Sequence, residues 1–297
     1  MTIRSVEDVL RLLDGMVPPG TAGVADESVD KPDENLAAWI SQGVVEPGRA
    51  LDLGCGPGRN ARYLASLGFE VDAVDASPVV IERARERAGD ARVWFHCGNV
   101  FELTLRGGYD LVYDSGFFHH LAPHRRPSYL ELLQRALMPG GHFGLVCFGS
   151  GGAALSDADV YRVGDLGAGL AYTEDSLREI FGGLAEVEQR GMVEQADDSP
   201  LFGKAVLWTA LFRFPGYRKA AEARARVLRG LMTVADRRRE LIDALWETTG
   251  PASAEEAVQR VLGVDEVQAR AVLDLQVRRL TPWQMAMIRK ELDQGAD

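Results

Sequence analysis

The segment LDLGCGPGRN, residues 51–60, places three glycines at alternate positions directly after an apolar run: Gly54, Gly56 and Gly58. Glycine lets the backbone turn sharply and approach a ligand closely, because it has no side chain. A dinucleotide-binding turn has its third glycine where this sequence has Arg59, and a P-loop requires a Gly-Lys-Ser/Thr triplet that does not follow. The turn therefore predicts a small ligand without a phosphate that must be cradled.

Two aspartates near this turn indicate which other groups the ligand carries. Asp75 ends the second apolar run, 19 residues after Gly56, where a carboxylate can accept hydrogen bonds from both hydroxyls of a ribose. Asp52 lies in the first run just before the turn and is expected to face a cationic amino group. A nucleoside with an amino-acid tail and no pyrophosphate carries all of these groups. The sequence therefore predicts S-adenosylmethionine (SAM) as the cofactor.

These residues need a framework that positions them, and residues 1–216 have the pattern of alternating strands and helices. Strand-like apolar segments occupy residues 49–54, 70–76, 92–97, 109–115 and 142–148. Helical segments occupy residues 60–68, 77–89, 125–141 and about 174–182. Strands that alternate with helices form parallel sheets. Two later strands, within 185–193 and 204–214, are joined by a short loop, which predicts an antiparallel pair at one edge.

Residues 217–297 differ from the rest in pattern and charge. Strand patterns are absent there, and apolar residues recur at helical spacing. This segment carries 14 Lys and Arg against 13 Asp and Glu, whereas residues 1–216 carry 19 against 31. We therefore expect two domains, 1–216 with an N-terminal lid at about 1–48, and 217–297. The predicted fold class is α/β: a Rossmann-like, seven-stranded, mostly parallel sheet with an antiparallel edge strand, followed by an all-helical domain.

Composition and charge exclude several classes of protein. The chain has a net charge of −11, to which residues 1–216 contribute −12 and the rest +1. An acidic body disfavours direct binding to nucleic acid, which needs clustered Lys and Arg. No apolar run approaches the roughly 18 residues of a membrane span, and the charged N-terminus lacks a secretory signal. The three cysteines, Cys55, Cys97 and Cys147, lie far apart without metal-ligand spacing. We expect a cytoplasmic protein with buried thiols and no bound metal.

Five segments together resemble the successive motifs of class I SAM-dependent methyltransferases. They are LDLGCGPGRN, VDAVDAS, GNVFEL, YDLVYDSGFFHHL and LMPGGHFGLVCF, and the resemblance covers about residues 35–213. Within it, YDSGFFHHLAPHRRPSYLELL is similar to the fourth-strand region of thiopurine-methyltransferase-like enzymes, which act on small molecules. The resemblance implies transfer of a methyl group from SAM to a small-molecule acceptor. Such a direct displacement needs mainly proximity and alignment from the protein.

The same resemblance implies a role for each matching residue. The methionine end of SAM is expected against Asp52, Gly54, Gly56 and Gly58, with Asn60 added to the cofactor-binding set. Asp75 is expected to hold the ribose, and Ala76 to pack on the adenine. Asn99, followed by Val100, stands where the family usually has an acidic residue that receives the adenine amino group; its side-chain oxygen accepts the same hydrogen bond. Asp114 and Ser115 end the fourth strand at the edge where such folds bind ligands.

The acceptor side offers candidates for catalysis and binding. His119 and His120 follow the fourth strand, and an imidazole suits a general base, although one of two adjacent histidines usually packs inward. Asp114 is a further catalytic candidate. A base is required only if the acceptor must lose a proton. The long segment 149–173 and residues 29–39 are expected to wall the acceptor site, with Tyr161, Arg162 and Tyr172 as candidate substrate contacts.

The C-terminal segment resembles the coiled-coil end that forms the exit gate of the DNA gyrase A subunit. The residues that match its pattern are Gln268, Ala269, Ala271, Leu273, Asp274, Arg279, Leu280 and Thr281, whereas Leu275, Gln276 and Val277 depart from it. The gyrase catalytic tyrosine region has no counterpart, which excludes topoisomerase activity. The resemblance implies a homodimer through residues 217–297, with apolar surface from Val272, Leu273, Leu275, Val277, Leu280, Trp283 and Met287.

Three alternatives stay open at this point. The tail could fold back on its own methyltransferase domain in a monomer. The protein could bind SAM without methylating, as a regulator that engages gyrase through the tail. It could also use the sulfonium only for electrostatics, in a rearrangement reaction.

Overall fold

A computed structural model describes residues 6–17, 29–149, 157–273, 285–286 and 288–289. The chain divides into two compact units, Met1–Gly216 and Tyr217–Asp297. The described strands all lie in the first unit, and the described secondary structure of the second is helical. None of the helices in the described ranges has the length and apolar character that crossing a membrane requires.

One sheet forms the centre of the first unit. Its strands are β1 (Arg49–Leu53), β2 (Glu70–Asp75), β3 (Val93–Cys97), β4 (Tyr109–Ser115), β5 (Leu137–Gly149), β6 (Ala171–Tyr172), β7 (Ala185–Gly191) and β8 (Leu207–Arg213). Their order is β3-β2-β1-β4-β5-β8-β7, and the two-residue β6 pairs with β5. β1 to β5 pair in parallel, and β8 is antiparallel to both of its neighbours.

The helices of this unit connect the strands and cover the sheet. They are α1 (Val6–Met16), α2 (Glu34–Ser41), α3 (Arg59–Ser66), α4 (Pro78–Ala88), α5 (Arg126–Ala136), α6 (Asp157–Val163) and α7 (Glu174–Ile180). Two short 3₁₀ turns, Phe118–His120 and Pro123–Arg125, lie between β4 and α5.

The predicted α/β fold with a mostly parallel sheet is confirmed, with two local differences. The helix expected over 125–141 ends at Ala136, because the chain from Leu137 is already extended as β5 and Gly140 donates its N–H to Phe214 O at 2.7 Å. The pair β7 and β8 is antiparallel as expected. The antiparallel strand β8, however, lies one position inside the edge, and β7 at the edge runs parallel to β5.

Apolar side chains on both faces of the sheet hold the strands in place. On one face, Trp39 of α2 packs edge-on against Tyr113 with ring centroids 6.4 Å apart. A Cβ atom at Gly144 would lie 2.8 Å from both of these rings, so this position of β5 requires glycine. On the other face, Phe143 lies within 5.2 Å of Phe181 between ring centroids. Full burial of each such side chain contributes roughly 1.5–3 kcal/mol, which makes the strand ends a rigid support for a site.

In the second unit, the helices formed by the described residues are α8 (Tyr217–Trp246), α9 (Pro251–Leu262) and α10 (Glu266–Leu273). α8 has a non-helical residue at Arg237. Its core contains Leu231, Val234, Leu241, Val258, Leu262, Ala269 and Val272. Val272 is therefore buried within the unit, contrary to its expected place on an apolar surface, because α10 turns this side chain toward α8 and α9. Leu275, Val277, Leu280, Trp283 and Met287, predicted for the same surface, lie outside the described residues.

Candidate active site

A cavity of about 860 Å³ lies at the carboxyl ends of β1, β2 and β4. The strand order reverses between β1 and β4, which is where doubly wound sheets bind ligands. Of the predicted cofactor-binding residues, those that line the cavity are Asp52, Gly54, Gly56, Asn60, Asp75, Ala76, Asn99, Val100 and Ser115. His119 and His120 line it as well. Gly58, Asp114, Tyr161, Arg162 and Tyr172 are not among its lining residues.

The glycine turn lies between β1 and α3 and brings backbone close to the cavity. Gly54 has a φ of +64°, and a Cβ atom there would lie 2.6 Å from the Cβ of Phe117. Gly58 has a φ of +80° but faces the opposite way, since a Cβ atom there would meet the ring of Phe95 at 3.1 Å. Gly58 is thus placed against β3 and α4 as the N-cap of α3, and the prediction that it lines the ligand is not supported by its position.

Asp75 is the last residue of β2 and is fixed by two backbone N–H groups. Gly56 N donates to its Oδ2 at 3.1 Å, and Ser77 N donates to its Oδ1 at 2.9 Å. Each carboxylate oxygen keeps acceptor capacity for a further donor. The carboxylate therefore lies beside the glycine turn in a fixed orientation, with room to accept hydrogen bonds from a ligand in the cavity.

Asp52 is a buried acid, and one of its carboxyl oxygens lacks a hydrogen-bond partner among the described residues. Its side chain is 2% exposed, and its Oδ2 has no hydrogen-bond partner among the described residues. Burial raises the pKa of Asp52 to about 8, even though the nearby charge of Arg59 lowers it. A buried acceptor without a partner costs about 1–3 kcal/mol, so a cationic donor that enters the cavity would be favoured here.

Arg59 supplies a cation to the same part of the cavity. Its Nη1 donates to Asp33 Oδ1 at 2.5 Å, and its Nη2 donates to Ser115 Oγ at 3.0 Å. The guanidinium also lies 4.8 Å from the ring centroid of Phe202. In the sequence, Arg59 is notable only because it occupies the position of the third glycine of a dinucleotide-binding turn. Asp52 and Arg59 together offer a carboxyl group and a guanidinium cation to this part of the cavity, which complement the ammonium and the carboxylate of an amino acid.

Asp33 organises this region and was not found from the sequence. It is fully buried at the N-cap of α2 and, besides Arg59, accepts hydrogen bonds from Asn60 Nδ2 at 2.9 Å and Tyr113 OH at 2.7 Å. Asp33 N in turn donates to Asn60 Oδ1 at 3.0 Å. Asn60 is therefore engaged with Asp33 on both sides of its amide, although the residue lines the cavity.

The adenine candidates lie beyond Asp75 along the cavity. Ala76 and Val100 contribute apolar surface. The Oδ1 of Asn99 accepts a hydrogen bond from Phe101 N at 3.1 Å, which fixes the side chain in a turn. A carbonyl oxygen has two lone pairs, so this contact leaves one for a ligand.

Asp114 lies behind the cavity wall. Its Oδ1 accepts hydrogen bonds from Phe117 N at 2.8 Å and Phe118 N at 3.2 Å, and its Oδ2 accepts one from Tyr129 OH at 2.6 Å. Burial raises the pKa of Asp114 to about 7, against the lowering effect of these hydrogen bonds. Its position corrects the expectation of contact with cofactor or substrate: Asp114 instead fixes the turn that leads to the two histidines.

His119 and His120 face each other at the cavity. Their Nε2 atoms are 3.0 Å apart, and the Nδ1 atoms of both rings are buried without a partner among the described residues. His119 also stacks on Phe148, with ring centroids 4.3 Å apart. Burial lowers the pKa of His119 to about 3, with a smaller contribution from His120, and burial lowers the pKa of His120 as well. Both imidazoles are therefore neutral near pH 7.

The three residues predicted to touch substrate are engaged elsewhere. Tyr161 OH is 3.1 Å from His124 Nδ1, and Arg162 pairs with Asp159 on the surface of α6. Tyr172 is buried and stacks on Phe118 with centroids 5.0 Å apart. Segment 149–173 was expected to wall the site, but its residues 150–156 lie outside the described residues.

The segment between β7 and β8 lines the cavity instead. It contributes Phe202, Lys204 and Val206, and Leu207, the first residue of β8, lines the cavity beside them; none of these was predicted. The sheet topology explains why this segment reaches the cavity. Because β7 is parallel to β5, the chain after β7 leaves the sheet at the carboxyl edge, where the site lies. Asp14 of α1 also lines the cavity and accepts hydrogen bonds from Arg125 Nε at 3.0 Å and from His124 Nε2 at 2.8 Å.

Comparison with known proteins identifies the part of the chain that carries the site. Residues 50–141 match the family model described as "Methyltransferase domain". The match covers about a third of the chain. The chain is 30% identical over 138 residues to 2-heptyl-1-hydroxyquinolin-4(1H)-one methyltransferase of Mycobacteroides abscessus, which covers 45% of this chain and 60% of that protein. The chain thus spans less than two thirds of the length of this relative.

Solved structures agree with the fold around this matched segment. The 1,6-didemethyltoxoflavin-N1-methyltransferase of Burkholderia thailandensis, with bound 1,6-didemethyltoxoflavin and S-adenosylhomocysteine, matches with a TM-score of 0.50 and 22% identity over 72% of this chain and 92% of that one. A structure described as the conversion of a disulfide bond into a thioacetal group during echinomycin biosynthesis matches with a TM-score of 0.51 and 24% identity, over 73% of this chain and 97% of that chain.

The cavity fits the cofactor of such domains. Asp52 has an unpaired buried oxygen, Arg59 offers a cation and Asp75 keeps acceptor capacity. These three groups complement the ammonium, carboxylate and ribose of SAM. The residues present therefore fit SAM, the cofactor that the sequence predicts.

Proposed function

We propose that this protein transfers a methyl group from SAM to a small-molecule acceptor by direct displacement. The observation that carries the proposal is the unpaired buried oxygen of Asp52, in a cavity that also contains Arg59 and Asp75. When bound, SAM supplies a methyl group on a positively charged sulfur that is already activated for transfer. The protein then contributes mainly proximity and alignment.

The methionine end of the cofactor is assigned to the glycine turn. In this proposal Asp52 accepts from the ammonium, and Arg59 pairs with the carboxylate. Arg59 suits the role because Asp33 and Ser115 hold its guanidinium in place. Gly54 keeps the turn free of a side chain beside Phe117.

The nucleoside end is assigned to the ends of β2 and β3. Asp75 accepts from the ribose hydroxyls, while Ala76 and Val100 pack against the adenine. The free lone pair of Asn99 Oδ1 accepts from the adenine amino group, beside the bond from Phe101 N.

The acceptor is assigned to the part of the cavity between β5 and the segment before β8. Its lining there is largely apolar, with Phe148, Val206 and Leu207. The cavity volume of about 860 Å³ is near the upper end of the range, about 300–1,000 Å³, of small-molecule sites. This favours occupancy by the cofactor and a second small molecule together.

Within the small molecules, the acceptor that we propose is a heteroaromatic compound. The stretch around residues 113–133 resembles thiopurine-methyltransferase-like enzymes, which tilts the proposal toward soft or aromatic acceptors. The names of two similar proteins give them a hydroxyquinolone and a toxoflavin precursor as substrates. The atom that receives the methyl group stays open among oxygen, nitrogen, sulfur and carbon.

Calorimetry on the purified protein tests the proposal. SAM and S-adenosylhomocysteine should both bind, and Asp75→Ala should weaken both by about fivefold to thirtyfold, since up to two hydrogen bonds of about 1 kcal/mol each are lost. Asp90→Ala, an exposed position away from the cavity, should leave both affinities unchanged. A panel of thiols, phenols, amines and heteroaromatics is then assayed for release of S-adenosylhomocysteine. Absence of binding, or activity on protein or nucleic acid alone, would refute the proposal.

For the C-terminal segment we propose a separate domain, residues 217–297, that joins two copies of the chain. The support is its resemblance to the exit-gate helices of the gyrase A subunit and its exposed apolar side chains on α8. Trp246 is 89% exposed, and Ile242, one turn earlier, is 59% exposed. Identical chains most often pair through a two-fold interface.

Light scattering on the full chain and on a truncated chain that ends at Pro215 tests this assembly. We expect a dimer for the full chain and a monomer for the truncated one. A monomeric full chain, or a truncated chain that stays dimeric, would refute the proposal. A full-length monomer that alters gyrase supercoiling would instead point to the gyrase-binding alternative.

A further inference from the structure

The two adjacent histidines form a pair whose hydrogen-bonding pattern is set by chemistry. With Nε2 atoms 3.0 Å apart, one ring must donate its Nε2–H and the other must accept. A neutral imidazole carries one proton, so the donating ring has a bare Nδ1 and the accepting ring has an Nδ1–H. In either arrangement the pair presents one donor and one acceptor beyond the bond that joins the rings.

Neither of these outer nitrogens is used by the described part of the protein. Both Nδ1 atoms are buried without a partner among the described residues, and both residues line the cavity. An unpaired buried polar atom costs about 1–3 kcal/mol, and here two occur in adjacent residues. A ligand that satisfies both would regain this free energy on binding.

The surroundings of the pair favour an uncharged ligand. His119 stacks on Phe148, and the lining nearby includes Leu121 and Val146. No charged side chain of the described residues is hydrogen-bonded to either imidazole. Among the charged residues of the cavity, Asp14, Arg59, Arg125 and Lys204 have partners of their own. The other two, Asp52 and Asp75, are assigned above to the cofactor.

We infer that the His119–His120 pair is the acceptor-recognition element of this protein, and that it selects an uncharged planar compound with one hydrogen-bond donor and one acceptor. The inference rests on the proposed methyl transfer and adds the chemical class of the acceptor. A lactam, with its ring N–H and carbonyl, and a ring hydroxyl beside a carbonyl both belong to this class. The lowered pKa of both histidines is consistent with a pair that stays neutral around such a ligand.

Binding of four probe compounds to the full chain loaded with S-adenosylhomocysteine tests the inference. The probes are 2-quinolone, which has a donor and an acceptor; N-methyl-2-quinolone, which lacks the donor; quinoline, which has an acceptor alone; and the anionic quinoline-2-carboxylate. 2-Quinolone should bind best. N-Methyl-2-quinolone and quinoline should bind about tenfold more weakly for the missing hydrogen bond, and quinoline-2-carboxylate should bind weakest.

Variants then connect this preference to the pair. His120→Asn and His119→Asn should each abolish the difference between 2-quinolone and N-methyl-2-quinolone, whereas His142→Asn, away from the cavity, should keep it. His120 is the more exposed of the two and provides the test if His119→Asn fails to fold. Nitrogen NMR of the imidazoles should report one protonated and one bare Nδ1, with shifts at both on addition of 2-quinolone.

The outcomes separate this inference from the proposed function. If S-adenosylhomocysteine does not bind, the proposed function itself fails. If it binds but the probes show no preference, or if His120→Asn retains the preference, the inference is refuted while the proposed function stands.

Discussion

Oδ1 of Asp33 lies 2.5 Å from Nη1 of Arg59, in a contact where the carboxylate is fully buried and the guanidinium side chain is 14% exposed. The two residues are 26 positions apart and join the start of α2 to the start of α3. Because the same carboxylate also accepts from Tyr113, one acid fixes a helix, a strand and the cation of the cavity.

Asp33→Asn should therefore destabilise the fold and weaken SAM binding together. Removing one partner of a buried ion pair costs about 3–5 kcal/mol, because the other charge is left buried. Urea unfolding measures this loss, and calorimetry measures the affinity. Asp30→Asn is the matched control, since Asp30 pairs with Arg62 at the surface and should contribute no more than about 1 kcal/mol. Equal effects of the two substitutions would contradict the role given to Asp33.

The raised pKa of Asp52 predicts that SAM binding releases a proton. Burial raises this pKa to about 8, so the carboxyl group is mostly protonated in the free protein at pH 7. A cationic amino group in contact with it favours the ionised form and lowers the pKa. Binding at pH 7 should therefore expel close to one proton, and affinity should rise as pH increases toward 8.

Calorimetry in two buffers of different ionisation enthalpy measures this proton release. Asp52→Asn should abolish the release and remove the rise in affinity between pH 6 and 8. Uptake of a proton on binding, or the same release from the variant, would show that Asp52 does not face the ammonium.

The parts of the site that follow from the sequence are those set by local motifs. Gly54, Asp52 and Asp75 were found because each lies at the carboxyl end of a parallel strand, and such ends share one edge of the sheet. Asp114 was assigned to the cavity by the same argument, but strand side chains alternate between faces and its neighbours bury it behind the wall.

The parts that could not be predicted depend on contacts between distant segments. Asp33 lies 80 residues from Tyr113 in the chain, and no local pattern indicates that they meet. Phe202 and Val206 reach the cavity because β7 is parallel to β5, whereas the sequence indicated only that β7 and β8 are antiparallel to each other.

The lowered pKa of His119 predicts a loss of stability in acid. Burial lowers this pKa to about 3, whereas an imidazole in the unfolded chain titrates near about 6.5. The contribution of neutral His119 to the free energy of unfolding is fully present above about pH 6.5 and is lost as pH falls toward 3. The reason is that the unfolded state then binds a proton that the folded state does not bind. One proton changes the free energy of unfolding by about 1.4 kcal/mol per pH unit.

Urea unfolding of the protein and of His119→Asn at pH 7, 6 and 5 measures this difference. The variant should lose less stability than the original chain over this range. The quantity to compare is the slope of the free energy of unfolding against pH in the two proteins. Absolute values do not suffice, because Asp52 and Asp114 have raised pKa values and change stability in the opposite direction in both proteins. Parallel slopes would mean that His119 is protonated in the folded state.

The glycine turn gives a last prediction, which separates backbone strain from contact with the site. Gly54 and Gly68 both have positive φ, at +64° and +92°, so alanine is strained at either position. A Cβ atom at Gly54 would also lie 2.6 Å from the Cβ of Phe117, whereas nothing lies within 4 Å of one at Gly68. Gly68→Ala should therefore lower stability by about 1–2 kcal/mol and leave SAM affinity unchanged. Gly54→Ala should lower stability further and abolish measurable binding, because relief of the clash moves the turn or Phe117 into the cavity. Thermal unfolding and calorimetry measure the two effects, and a Gly54→Ala protein that binds SAM normally would show that the turn does not hold the cofactor.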